Sequence, residues 1–186
     1  MSFSLVVDTS LSGCACALIE LNADKTKLLW SKYDDSRGNT DTAIGRFVDE
    51  GLLYTKRQMS DLEYIFISHG PGSFTGVKVG LAWVYGLFSA MPKGSVKVVG
   101  LSSLQEAFKH LKSNNKSESL SLLCPTSRKE TFMLQGSQTH VDLSTQVIGS
   151  QSFTSLCTQL CEKGSEFFLL EHHQVDLSVW FEQNGY

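Results

Sequence analysis

The residues best suited to chemistry fall in three short segments within residues 8–104. Asp8-Thr9-Ser10 places a carboxylate and two hydroxyls directly after the apolar run Phe3 to Val7. Gly70-Pro71-Gly72-Ser73-Phe74-Thr75-Gly76 combines glycines, which permit close backbone approach, with a proline that fixes one φ. Val99-Gly100-Leu101-Ser102-Ser103-Leu104 repeats the strand-to-polar transition a third time. A glycine-rich turn between a buried strand and a helix N-terminus offers free N–H groups and the positive end of a dipole, a geometry that holds phosphate. No Gly-Lys-Ser/Thr closes the loop, so it is not a Walker A motif. At this level two readings stand side by side, a phosphate cradle and a tight structural turn.

Other candidates are weaker. His69 borders the glycine loop and could serve as a general base, but it has no evident nucleophile or orienting acid, which favours a structural histidine. Cys157-x-x-x-Cys161 and His172-His173 invite a zinc reading. The two cysteines lie one helical turn apart among apolar residues, where free cysteine behaves as a small core hydrophobe, so we assign no metal. There is no His-Glu-x-x-His and no Gly-x-Ser-x-Gly, so peptide hydrolysis has no support.

The elements that must position these residues follow from hydrophobic period. Phe3 to Val7, Cys14 to Leu21 and Lys27 to Tyr33 read as three strands in a meander, the first buried on both faces. Thr40 to Tyr54 switches to helical spacing, with Asp41 in the first turn where the dipole favours an acid. Leu62 to Ser68 is a strand that feeds the glycine loop and a helix running to about Met91. Val96 to Leu101 is a strand, and Ser102 to Lys112 a helix capped by Ser102 or Ser103. The polar run from Lys112 to Ser117 reads as a linker. Strands are expected at Leu120 to Cys124, Thr131 to Gln135, Gln146 to Gly149 and Phe167 to Leu170, with helices at Phe153 to Glu162 and near the C-terminus. The result is an α/β chain with a first domain over residues 1–112 and a shorter second one over 113–186.

Composition limits the functions open to this chain. It has 186 residues, 41% hydrophobic and 19% charged, with 16 basic against 19 acidic residues and a net charge of −3. Tight nucleic-acid binding draws on phosphate neutralisation by a basic surface, and no basic excess or stripe is present. RNA contact is therefore expected only indirectly, through another chain. Five cysteines, an odd number set within apolar runs, argue against a disulfide framework. The first residues lack a basic n-region, and no apolar stretch reaches a membrane span. The expectation is a cytoplasmic protein without a membrane role.

The stretch Pro71-Gly72-Ser73-Phe74-Thr75-Gly76-Val77-Lys78-Val79-Gly80-Leu81-Ala82 closely resembles the signature of the TsaB/YeaZ family, once labelled glycoproteases. Asp8-Thr9-Ser10 is similar to that family's opening motif, and Val99 to Leu104 to its strand-to-helix junction. The three occur in the expected order over residues 3–107. The resemblance implies an actin-like (ASKHA, ribonuclease H-like) fold of two related subdomains. It also implies a supporting role in forming N6-threonylcarbamoyladenosine at position 37 of tRNA, with a TsaD-type catalytic subunit as partner and a TsaE-type ATPase joining the complex. In actin-like phosphotransferases each subdomain supplies a phosphate-contacting loop. By that comparison Asp8, Thr9, Ser10, Gly70, Gly72, Ser73, Thr75 and Gly76 are the phosphate-loop candidates. The second-half counterpart, Leu123 to Phe132, departs from the family: Pro125 replaces the acid and Lys129 the glycine, and only Glu130 matches. One carboxylate fixes a metal poorly. We therefore expect no catalytic residue and no tightly bound cofactor, with ATP or ADP and Mg²⁺ confined to an interface in the complex. The competing readings are a small nucleotide-dependent phosphotransferase of the same superfamily and a diverged homodimeric binding module.

Between Phe74 and Met91 the sole formal charge is Lys78. A helix apolar all round must be covered all round. The stripe Gly76, Gly80, Trp83, Leu87 and Ala90 joins small residues to a large anchor and is read as the partner interface, engaged in a homodimer when the chain is isolated. Cover by neighbouring helices of the same chain is the competing reading.

Overall fold

In a computed structural model of the chain, the described residues are 1–11, 13–23, 25–35, 40–114, 119–125, 130–136, 141–149 and 166–169. The chain divides into two compact units, Met1–Glu106 and Ala107–Tyr186. The helices read at residues 153–162 and near the C-terminus lie outside the described residues, as do Lys129, Cys157, Cys161, His172 and His173.

The first unit is built on a five-stranded sheet in the order β3-β2-β1-β4-β5. Its strands are β1 (Ser2–Asp8), β2 (Cys14–Leu21), β3 (Thr26–Asp34), β4 (Tyr64–Ser68) and β5 (Lys97–Leu101). β1 is central, antiparallel to β2 and parallel to β4, which is why Phe3 to Leu5 is a continuous buried run. β2 alternates instead, burying Cys14, Cys16 and Leu18. Helices α1 (Thr40–Thr55) and α2 (Phe74–Ala90) pack over the face carrying Leu5, Val7, Leu18, Ile65 and Ile67. α1 buries Ala43, Ile44, Phe47, Val48, Gly51 and Leu52. A Cβ at Gly51 would stand 2.7 Å from the Trp30 ring, so the absence of a side chain brings α1 down onto β2 and β3.

Helix α3 (Ser103–Asn114) follows β5 and runs into the polar stretch read as a linker. Ser102 caps it, its hydroxyl accepting from Gln105 N at 3.3 Å. The second unit carries β6 (Leu120–Pro125), β7 (Glu130–Gly136), β8 (Val141–Gly149) and β9 (Glu166–Leu169) in the order β8-β7-β6-β9. β6 is antiparallel to β7 and parallel to β9. This repeats the first unit's β3-β2-β1-β4 arrangement, without sequence repetition. β8 begins five residues before the expected Gln146, because Val141-Asp142-Leu143-Ser144 gives only a short alternating signal. Among the described residues, no helix is long and apolar enough to cross a membrane.

Candidate functional site

Three of the sequence segments meet at one end of the first sheet. β1 delivers Asp8, and one of its carboxylate oxygens accepts from both the backbone N–H and the hydroxyl of Ser10, at 2.7 and 2.6 Å. Ser68, at the end of the neighbouring strand, donates its hydroxyl to the Ser10 oxygen at 3.0 Å. Ser10 and Ser68 are buried, so this relay satisfies groups that would otherwise be costly to bury. It also fixes the Asp8 carboxylate, which stays half-buried.

The glycine loop is fastened to the same strand end. Ser73 donates its N–H to the Ser10 carbonyl at 2.7 Å. Its hydroxyl caps α2, accepting from Gly76 N at 3.2 Å, and its carbonyl accepts from Val77 N at 2.8 Å. Gly70 takes φ +91°, a left-handed conformation that glycine adopts without strain, and the Gly70–Pro71 peptide is cis. Ser103 closes the far side, its N–H donating to Gly70 O and its hydroxyl to Pro71 O, both at 3.0 Å. Thr9 turns toward the helix, donating its hydroxyl to Gly76 O at 2.7 Å.

The glycines of α2 earn their place here. A Cβ on Gly76 would lie 2.0 Å from the Thr9 carbonyl oxygen, and one on Gly80 2.3 Å from the Thr9 hydroxyl. Both positions are where helix and β1 touch. This corrects the assignment of the partner stripe. Gly76 and Gly80 face the chain's own sheet, and Trp83 and Leu87 pack against the core, Trp83 reaching toward Gly45 of α1. Only Ala90 of that set is exposed. The small residues permit close approach, but to β1 rather than to a second protein. The exposed apolar stripe of α2 is Phe74, Leu81, Tyr85 and Phe88. Leu81, Tyr85 and Phe88 form one wall of an apolar groove of about 590 Å³, with Ile67, Val96 and Val98 among its other lining residues.

Of the phosphate-loop candidates, Asp8, Thr9, Ser10, Gly70, Ser73 and Gly76 are joined in one hydrogen-bonded cluster. Gly72 is half-buried within the loop, and Thr75 is exposed on the first turn of α2. Most of the cluster's donors are directed inward. That leaves Asp8 as the carboxylate through which a cation could be met, and one carboxylate with an oxygen already engaged does not make a self-sufficient Mg²⁺ site. In the second unit, Pro125 ends β6 opposite Thr131, and Glu130 opens β7 opposite Gly149. Among the described residues no group of three or more His, Cys, Asp or Glu is placed to hold a metal.

Two members of the cluster lie outside the phosphate-loop candidates: Ser68, the polar residue that ends an apolar strand, and Ser103, which belongs to the third motif and is expected from sequence only as a helix cap. Sequence reasoning missed a buried pair on β2: the Cys14 and Cys16 sulfurs lie 3.9 Å apart. Their shared hydrogen bond holds the Cys14 thiol below its ordinary range, and that bond together with burial pushes Cys16 up. Cys124, on β6 of the second unit, is pushed up to about 12 by burial.

Two α/β units that share this strand order define an actin-like fold, and solved structures agree. A Bacteroides thetaiotaomicron protein with an actin-like ATPase fold is 7% identical with a TM-score of 0.52, over 100% of this chain and 88% of that one. YeaZ from Pseudomonas aeruginosa is 23% identical with a TM-score of 0.63, over 80% of this chain and 68% of that one. In sequence, residues 34–156 match the family model described as TsaD, tRNA N6-adenosine threonylcarbamoyltransferase. The chain belongs to this family. The tRNA threonylcarbamoyladenosine biosynthesis protein TsaB of Buchnera aphidicola is 26% identical over 100 residues, 54% of this chain. The match spans 44% of that relative's length.

Proposed function

We propose that this chain is a non-catalytic accessory subunit in the formation of N6-threonylcarbamoyladenosine at position 37 of tRNA, acting by binding a TsaD-type catalytic subunit. The observation that carries the reading is the family match over residues 34–156, taken with a glycine loop whose hydrogen-bonding groups mostly hold the fold together. A loop of this kind gives a rigid platform for α2 in place of a ligand cradle. Any ATP or ADP with Mg²⁺ then sits at an interface within the complex, where a second chain adds the missing ligands to Asp8. A TsaE-type ATPase joins through that complex, and tRNA is met only through the partner, in keeping with a net charge of −3.

The partner surface we assign is the exposed stripe of α2, Phe74, Leu81, Tyr85 and Phe88. An apolar stripe of this size on a folded chain marks an interaction site. In isolation the same stripe supports self-association. The deciding experiment mixes the chain with a TsaD-type subunit, a TsaE-type ATPase, tRNA and the small-molecule substrates, and measures modified base with and without it. Dependence of yield on this chain, with no ATP turnover by the chain alone, is the expected result. Mg²⁺-dependent turnover by the purified chain would make it a phosphotransferase instead.

A further inference from the structure

β2 carries two cysteines on its core face with one residue between them. The Cys14 and Cys16 sulfurs turn toward each other and share a hydrogen bond at 3.9 Å. Both are buried, at 1% and 2% exposure, and burial alone would make them inert core fillers. Their place in the sheet argues for more.

Ala15, the residue between them, pairs with Asp8 of β1 on one side and Tyr33 of β3 on the other. The β1 ladder stops at that pair, so Cys14 is held by β3 alone, opposite Asp34. It also directly follows Gly13, whose φ of +99° suits a residue without a Cβ. A strand end held on one side is where local opening starts, and that opening admits a small oxidant. Cys16 is held on both sides, by Val7 and Lys32.

We propose that peroxide converts this pair to a reversible Cys14–Cys16 disulfide, and that the bridge loosens the anchor of the glycine loop by pulling on Ala15. The Cys14 thiolate sulfur attacks one peroxide oxygen and the O–O bond breaks. The departing hydroxide takes up the proton that Cys14 released, leaving a sulfenic acid and one water. The Cys16 sulfur then attacks the Cys14 sulfur, the S–O bond breaks, and the hydroxyl leaves with the Cys16 proton as a second water. Each thiol gives one electron, and hydrogen peroxide takes both.

The order of attack follows from the surroundings. The hydrogen bond from Cys16 outweighs burial and the charges of Asp34 and Asp8, and holds the Cys14 thiol below its ordinary range. The product suits the site, since a disulfide bears no charge beside these two carboxylates. In a reducing compartment such a bridge is transient and acts as a sensor.

Strand geometry supplies the pull. Residues i and i+2 of an extended strand have Cα atoms about 6.6 Å apart, while most disulfides hold them at roughly 5.5–6 Å. Closing the bridge therefore shortens the strand across Ala15 by up to about 1 Å. Asp8 moves with its pairing partner. Its carboxylate holds Ser10, and the Ser10 carbonyl holds the Ser73 N–H, so the displacement reaches the seat of α2.

Native chain treated with hydrogen peroxide, blocked with iodoacetamide and digested should yield a fragment in which Cys14 and Cys16 are bridged and unalkylated. Dithiothreitol should restore both thiols. In the oxidised chain, with native circular dichroism, the Ser10 and Ser73 amides should exchange about tenfold faster or more. Cys16→Ala lacks the resolving sulfur and should stop at a sulfenic acid on Cys14 that dimedone traps. Cys14→Ala should leave Cys16 about tenfold less reactive than Cys14 is in Cys16→Ala, and peroxide should not quicken its Ser10 and Ser73 exchange. Equal reactivity in the two variants overturns the order of attack. Thiols that both stay alkylatable in the folded chain overturn the proposal, as does a bridge from either one to a third cysteine. A Cys14–Cys16 bridge that leaves Ser10 and Ser73 exchange unchanged overturns its link to the glycine loop.

Discussion

The two long faces of α2 are both apolar and do opposite things. The inward face, Gly76, Gly80, Val84 and Leu87, is small where it crosses β1 and larger where it meets the core. The outward face, Phe74, Leu81, Tyr85 and Phe88, is large and exposed, and Lys78 lies within it with its ammonium 4.1 Å from the Phe74 ring centre. Counting apolar residues cannot separate these faces, because each satisfies helical spacing equally well. Size against the backbone separates them: a glycine is required where a neighbouring main chain lies within van der Waals distance, and here that main chain is Thr9.

Substitutions on the two faces should differ accordingly. Gly76→Ala should be the most damaging, because its Cβ would stand 2.0 Å from a backbone oxygen that cannot move aside. We expect a loss of about 3 kcal/mol or more in urea unfolding. A loss under about 0.5 kcal/mol would show that the helix is not seated on β1. Trp83→Ala is next, at roughly 2–3 kcal/mol, below the usual cost of a core tryptophan because the ring is only half-buried. If Trp83 were instead a partner anchor, the isolated fold would keep its melting temperature and binding alone would fall. Thr9→Val keeps the shape but removes the hydroxyl bonded to Gly76 O, and should cost about 1 kcal/mol. Tyr85→Arg should change folding by no more than about 0.5 kcal/mol, while mass in solution and capture of a TsaD-type subunit both drop. Tyr85→Arg unfolding as readily as Gly76→Ala would erase the distinction between the faces.

Much of this was legible in the chain. Helices α1 and α2, the strands of the first unit and the order of its motifs follow from period and punctuation, since each element there is long enough to show its period. The apolar run Leu62 to Ser68 predicts one strand, but a single 3₁₀ turn at Met59–Asp61 leads into it and pairing starts only at Tyr64. The local cause is Asp61, whose carboxylate accepts from Gln58 N at 2.8 Å and holds the turn. The candidate site was legible as a set of residues but not as an arrangement. That Thr9 spends its hydroxyl on a helix carbonyl depends on how closely α2 approaches, a tertiary distance that no local pattern encodes. The partner stripe was misplaced for the same reason.

The second serine after β5 ties the three motifs into one unit. Ser103 holds the carbonyls of Gly70 and Pro71, and Ser10 holds the N–H of Ser73. Residues 8–10, 70–76 and 102–103, though scattered along the chain, are thus bound as one heritable block. A chimera that takes any one of these segments from a distant relative imports a loop cut to fit foreign anchors. Recombination should therefore succeed when all three are exchanged together, and evolution is free to vary the intervening helix surfaces while this block is passed on whole.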